Sequence, residues 1–451
     1  MKMKVDRSNY LFNNKTLVSL IIPLIIEQFL AVLVGMAASI MVAGVGEAAV
    51  SGVSLVDNIM VLFVNAFAAL ATGGAVIAGQ YLGQQNEKLA CEASNQIVWF
   101  ITGIALVIMV IVYCGKWFIL HIVFGAIDAD VMAHANTYLM IVTASIPFIA
   151  LYNAGAATFR MMGNSKVSMQ VSFLMNIINI SGNAILMYGF HRGTEGVAIP
   201  TLVSRIVAAV VIISLLTNEK RKLHISRSLR YRPDWRMIRR ILSIGVPNGM
   251  ENSMFQLGKI LVLNLVSSMG TYAIAANAVS NAVALFQILP GMALCLAIPP
   301  VIARCVGAGD YEQAHYYTKK LVGITYAAMW VTNAIIFGLL PLILKAYHLS
   351  HLTAETTKHI IYFHSISCML VWPMAFTVPV TLRAAGDAKI TMIISIISMW
   401  IFRIAFSYIL GRYMGLGVFG IWVAMVIDWC FRAVCMTVRY HKGKWKMIRT
   451  I

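Results

Sequence analysis

The stretch VPNGMEN, residues 246–252, lies inside an apolar run that continues to Ser267 and places one carboxylate, Glu251, within it. An ionised side chain at the centre of a bilayer costs roughly 2.5–3.5 kcal/mol on insertion scales. Such a residue is retained when it is paired, protonated or turned toward a polar cavity. If this run crosses a membrane, Glu251 is therefore a candidate functional residue.

The stretch has a counterpart 224 residues earlier, where Pro23 corresponds to Pro247 and Glu27 to Glu251. Other residues match at the same spacing, or at 223 in the middle of each half. They include Gly46/Gly270, Gly83/Gly307, Arg160/Arg383 and Gly163/Gly386. The sequence therefore predicts two related halves, each carrying one acid at an equivalent depth.

The composition indicates an all-α integral membrane protein. Of the 451 residues, 60% are hydrophobic and 12% are charged, and the mean hydropathy is +0.81. Soluble domains carry about 25% charged residues. Twelve runs approach the ~20 residues that a helix needs to cross the hydrocarbon core. The predicted spans are 17–44, 49–77, 96–113, 131–151, 167–188, 197–216, 241–266, 273–301, 321–340, 360–381, 390–410 and 418–437.

These spans predict two six-helix lobes related by the internal repeat. Residues 1–217 form the amino-terminal lobe, 218–240 a basic cytoplasmic linker, and 241–451 the carboxy-terminal lobe with its tail. An even number of spans per half makes both halves enter from the same side, and a site between two such lobes is typical of alternating-access transporters.

The net charge of +18 reflects membrane orientation and not a nucleic-acid partner. Twenty-six Lys and Arg residues fall on the side that carries both termini, and five fall on the opposite side. Basic residues accumulate in cytoplasmic loops. The sequence thus predicts a multi-pass protein of the plasma (inner) membrane with both termini cytoplasmic. Membrane lipid is the expected partner, no nucleic acid is expected, and the chain is expected to act as a monomer.

Four segments carry a family resemblance. They are PLIIEQFLAVLVGMAASIMVAGVGEAAVSGVSL (23–55), ATGGAVIAGQYLGQQN (71–86), FRMMGNSKVSMQVSFLMNIINISGNAILMYG (159–189) and LRAAGDAKIT (382–391). With them the chain resembles the multidrug and toxic compound extrusion (MATE) transporters over nearly its whole length. The resemblance implies a two-lobe antiporter that expels amphipathic organic cations in exchange for Na⁺ or H⁺, with no other cofactor. Two acids common in the family are replaced here, by Ala38 and Asn183.

The candidate ion-coupling residues are those that lie well inside a predicted span or that the MATE resemblance places in the family's ion site. Glu251 is the leading candidate, with a transient Na⁺ or a proton as its ligand and no permanent metal. Glu27 occupies the equivalent depth in the first lobe. Asn179 and Thr201 match polar positions of the family's amino-lobe pocket, and Asn183 stands in the same pocket where many members have an aspartate. Asp57 is one further acid within a span. Asp428 lies four residues before Arg432, so an intrahelical ion pair is predicted for it.

Polar residues within the spans are candidates for a substrate cavity, although interhelical hydrogen bonds would also explain them. They are Asn176, Asn252, Gln256, Lys259, Asn277 and Gln287. Lys259 is eight residues beyond Glu251, about 12 Å along a helix. At that distance it is expected to bind a different acid or an anionic group of a substrate.

Other functions remain as alternatives. A lipid-linked saccharide flippase of similar architecture would need a cavity rich in arginine and lysine. A membrane enzyme would need clustered nucleophiles or metal ligands, and neither an HExxH nor a GxxxxGK[ST] motif occurs in the sequence. A receptor would carry out no transport. Enzymatic activity is not expected.

Overall fold

The computed structural model describes residues 10–125, 127–226, 231–347, 349–448 and 450–451, and these ranges contain helices but no strand. The helices longer than ten residues in the first half are α1 Asn14–Ala43, α2 Glu47–Gly83, α3 Glu87–Cys114, α4 Ala129–Thr143, α5 Ile146–Met161, α6 Ser165–Ala184 and α7 Glu195–Leu216. Those of the second half are α8 Trp235–Ser267, α9 Thr271–Gly307, α10 Tyr311–Ala346, α11 His351–Leu370, α12 Trp372–Ala384, α13 Ala388–Ser398 and α14 Gly417–His441. Wider π-helical turns extend α6 to Gly189 and α13 to Tyr413.

Nine of the described helices are long and apolar enough to cross a membrane, or eleven when two bent pairs each count as one span. The chain bends by 49° between α4 and α5 and by 46° between α11 and α12. Pro147 and Pro373 lie in the first turn of the helix that follows each bend. Proline has no backbone N–H, and at the first turn of a helix this N–H would have no partner within the helix in any case. Helix α8 is not among the eleven, because polar residues such as Glu251 and Lys259 lower its hydropathy. The count of twelve spans stays a prediction.

Helix α8 begins earlier than its predicted span. The side chain of Asp234 accepts hydrogen bonds from the backbone N–H groups of Arg236 and Met237 and so caps the helix. The last six residues of the predicted linker, from Trp235 onward, are consequently helical. Residues 227–230 of that linker lie outside the described part of the chain.

The start of the first helix in each half packs against helices of the opposite half. Leu17, Leu20 and Leu24 of α1 are buried in a cluster with residues of α9 and α10. Met237 and Ile241 of α8 are buried in a cluster with residues of α2. The two halves are therefore in contact through the first helix of each.

Both ends of the described chain lie at one end of the helical bundle, near the start of α10. The Tyr317 hydroxyl donates to the carbonyl of Phe12 at 2.6 Å, and the N–H of Phe12 donates to that hydroxyl at 3.0 Å. The rings of Trp445 and Tyr311 meet at 5.8 Å. We call this the terminal end of the molecule.

The two halves touch closely at the terminal end. A Cβ atom at Gly307 of α9 would overlap the backbone of Gln80 on α2, and one at Gly83 would overlap the backbone of Arg304. Gln80 Nε2 also donates to the carbonyl of Ala384 at 3.2 Å. The repeat-related glycines Gly83 and Gly307 therefore allow the two helix ends to approach each other.

Candidate functional site

A cavity of about 420 Å³ lies between the two halves. Helices α2 and α5 line it from the first half, and α8, α9, α12 and α14 line it from the second. Its charged residues, among those described, are Arg160, Glu251, Lys259, Arg383 and Arg432. Aromatic and apolar side chains, including Phe255, Met292 and Phe376, complete the wall. The lining thus contains four cationic groups and one carboxylate.

Glu251 is held by arginines from two other helices. Arg383, in the last turn of α12, donates to Glu251 Oε2 at 2.7 Å. Arg432 of α14 lies 3.8 Å from Glu251 Oε1. The Glu251 side chain is 12% exposed and that of Arg383 is 17% exposed, so this pair borders the cavity without being sealed from it. A hydrogen bond between a guanidinium and a carboxylate is charge-assisted and belongs to the stronger class of protein hydrogen bonds.

The predicted pair between Asp428 and Arg432 is confirmed, with Arg432 Nε at 3.2 Å from Asp428 Oδ1. Asp428 is fully buried, accepts a hydrogen bond from Ser398 and lies 3.9 Å from Arg403. Arg432 consequently bridges Asp428 and Glu251. Through Arg432, the Glu251 carboxylate at the cavity is therefore linked to the Asp428 carboxylate, which does not border the cavity.

The first half repeats the pairing of the second. Arg160 Nη1 lies 3.6 Å from Glu27 Oε1, and Ser168 donates to the other carboxylate oxygen at 2.7 Å. Glu27 and Glu251 are repeat-related, and so are Arg160 and Arg383. Glu27 is 6% exposed and does not line the cavity, although its partner Arg160 does. The two acids therefore have equivalent partners but different access to the cavity.

Three predicted amino-lobe residues are hydrogen-bonded to one another. Asn183 Nδ2 donates to Asn179 Oδ1 at 3.3 Å, and Asn179 Nδ2 donates to Thr201 Oγ1 at 3.0 Å. The structure places them together on α6 and α7, where no carboxylate takes part in these bonds. Their role in ion coupling stays a prediction. Asp57 is on α2 and accepts a hydrogen bond from the Tyr138 hydroxyl at 2.9 Å.

Of the six predicted cavity residues, Asn252, Gln256 and Lys259 line the cavity. Asn277 and Gln287 do not line this cavity, because both are buried in the interior of the second half, and a role for them in substrate binding stays a prediction. Asn277 accepts a hydrogen bond from Trp422 Nε1 at 3.1 Å, and Gln287 bonds to His364 and Ser365. Asn176 is half-buried on α6 and is not among the lining residues.

The arginines that hold the two acids were not among the predicted site residues. Arg160 and Arg383 both fall outside the predicted spans, which end at residues 151 and 381. The repetition of an acid and a base at equivalent positions of both halves was the signal that would have identified them.

A family model described as MatE matches the chain twice, over residues 23–185 and 247–409. The chain belongs to the MATE family. Both the starts and the ends of the two matches are 224 residues apart, which is the spacing of the Pro23/Pro247 pair. The family is one of transporters, and the long apolar helices of the described chain agree with a multi-pass membrane protein.

Similar proteins extend over the full length. The uncharacterized transporter YisQ of Bacillus subtilis (strain 168) is 27% identical, covering 99% of this chain and 96% of the relative. A probable multidrug resistance protein NorM of Thermotoga maritima is 24% identical, covering 96% and 93%. The crystal structure of a MATE protein in the straight conformation superposes with a TM-score of 0.89 at 19% identity, covering 96% of this chain and 97% of that one. The MATE fold is therefore shared throughout.

Proposed function

We propose that this MATE protein is a secondary active multidrug efflux transporter, in which Na⁺ or H⁺ binding at Glu251 drives alternating access. The observation that carries the proposal is the Glu251–Arg383 pair at 2.7 Å on the wall of a cavity between two related halves. An ion pair at a cavity surface can exchange its partner, whereas a fully buried pair such as Asp428–Arg432 cannot do so without a large desolvation cost.

The proposed coupling step is an exchange of partners at Glu251. A proton or a sodium ion reaching the carboxylate replaces the Arg383 guanidinium as its stabilising cation. Arg432 stays paired with Asp428, so the second half loses the Glu251–Arg383 ion pair but keeps the Asp428–Arg432 pair. The two halves, which touch at the terminal end here, separate there in the alternative arrangement. Binding shifts this equilibrium only if the ion binds the two arrangements with different affinity.

The predicted substrates are amphipathic organic compounds, with cations expected from the family resemblance. The volume suits a small molecule, and the aromatic and methionine side chains supply an adaptable apolar surface. A cationic substrate would compete with the coupling ion for Glu251, which is the only carboxylate among the described lining residues. We further propose a monomer, since helices of one chain line the cavity on both sides.

The transport test uses purified protein in lipid vesicles without ATP. We expect an imposed Na⁺ or pH gradient to drive movement of an amphipathic dye, because the coupling site is within the chain. Collapsing the Na⁺ gradient and the pH gradient separately identifies the ion. If neither gradient moves a dye of either charge, or if only a lipid-linked saccharide moves, the proposal of multidrug efflux is wrong.

The orientation test uses single cysteines introduced at Lys222 and Arg192. We propose that the terminal end is cytoplasmic in the plasma membrane, from the excess of basic residues on that side. A membrane-impermeant maleimide applied to intact cells is then expected to label position 192 and not position 222. Labelling at position 222 from outside would reverse the topology.

A further inference from the structure

The charges around the cavity do not balance. The cationic groups in or beside it are Arg160, Lys259, Arg383, Arg403 and Arg432, and the carboxylates are Glu27, Glu251 and Asp428. Five positive charges face three negative ones, a formal excess of two. Every one of these arginines lies within 4.0 Å of a carboxylate. Lys259 alone forms no ion pair with any described residue.

The Lys259 side chain is directed back along the cavity wall. Its ammonium lies 5.1 Å from the centroid of the Phe255 ring, which is one helical turn closer to Glu251. A lysine reaching for lipid headgroups would extend toward the nearer end of α8 instead. The Arg403 guanidinium lies 4.9 Å from the same ring centroid. A contact with a ring face attracts a cation but does not neutralise it, so positive potential remains at this point of the cavity.

We infer that this cavity has a subsite for amphipathic organic anions, in which Lys259 binds a carboxylate or sulfonate group. The inference rests on the proposed transport function and specifies its substrate class. The apolar body of the anion packs against Phe255, Met292 and Phe376, which line the same cavity. The volume of about 420 Å³ is within the range of small-molecule sites.

The subsite is separate from the coupling acid. Lys259 is eight residues beyond Glu251, about 12 Å along α8. The Glu251 carboxylate is also occupied by Arg383 at 2.7 Å, which reduces its repulsion of an anion. An anion at Lys259 is consequently bound without displacing the pair at Glu251.

The test measures equilibrium binding to the purified full-length chain in neutral phosphatidylcholine nanodiscs, with no ion gradient. The probes are carboxyfluorescein and rhodamine 6G, which share a xanthene core but carry opposite charge, and fluorescence anisotropy reports binding. We expect the wild type to bind carboxyfluorescein more tightly. Lys259→Gln is expected to raise the Kd for that dye about tenfold or more, as for loss of a charge-assisted hydrogen bond. Lys259→Arg should retain the affinity.

The matched control is Lys88→Gln, the same change at an exposed position near the start of α3, which should leave both affinities unchanged. Tighter binding of rhodamine 6G by the wild type overturns the inference and needs no variant. An unchanged Kd in a folded Lys259→Gln protein also overturns it. The transport proposal fails separately: a chain that binds the anionic dye through Lys259 but moves nothing under either gradient contradicts that proposal alone.

Discussion

Replacing Glu251 by glutamine is expected to reduce gradient-driven transport to the level of protein-free vesicles. The amide keeps the size of the side chain but has no carboxylate to bind a proton or Na⁺, so the exchange with Arg383 is lost. The measurement is uphill accumulation of a dye in vesicles, with insertion checked by size-exclusion chromatography of re-extracted protein. Transport at the wild-type rate by correctly inserted protein would show that Glu251 only joins helices.

Two further variants separate coupling from folding. Glu251→Gln leaves Arg383 without its close partner, and the double variant with Arg383→Gln removes that stranded charge. The double variant is expected to be more stable than the single one and equally inactive. Glu27→Gln is the matched control in the other half. Because Glu27 is buried away from the cavity, its loss should lower the melting temperature and reduce coupling less than Glu251→Gln does.

Substituting alanine for Gly307 is expected to hold the protein in the arrangement that is open at the terminal end. The added Cβ would overlap the backbone of Gln80, so the two helix ends can no longer approach each other. Overpacking of this kind costs about 1–3 kcal/mol, which shifts the ratio of two conformations by roughly 5- to 150-fold. Transport should fall accordingly, because a cycle requires both arrangements.

Hydrogen–deuterium exchange measures this shift without added labels. Amides near Gly83 and Gly309 are expected to exchange faster in Gly307→Ala than in the wild type. Gly323→Ala is the matched control, since it lies within α10 and a Cβ there would meet no atom within 4 Å. If Gly307→Ala exchanges and transports as the control does, the contact at the terminal end is not part of the cycle.

The internal repeat made the two buried acids predictable, because both halves keep proline, glutamate and glycine at fixed spacing. The partners of these acids were not predictable from a window of about 20 residues. The predicted spans 131–151 and 360–381 end before Arg160 and Arg383, whereas α5 and α12 follow bends and continue to Met161 and Ala384. Each arginine therefore lies in a final helical turn facing the cavity and not in a loop.

The positions of Asn277 and Gln287 could not be predicted from the sequence for a different reason. Helix α9 contributes buried residues around most of its circumference, so its pattern of apolar positions does not distinguish the cavity side from the interior of the second half. The partners that satisfy these amides, Trp422 and His364, are at least 77 residues away in sequence. Such pairings depend on how helices cross, which the spacing of polar residues alone does not specify.

The packing of α1 against the opposite half has a consequence for biosynthesis. Phe12 is held by Tyr317, 305 residues later in the chain. At 5–20 residues per second, a ribosome needs roughly 15–60 s to add that length. Throughout this time Leu17, Leu20 and Leu24 lack the surface of α9 and α10 that they contact in the finished protein. The first helix to leave the ribosome can thus pack against its own half early, as in the Glu27–Arg160 pair, but its contacts with the second half form only after most of the chain has been made.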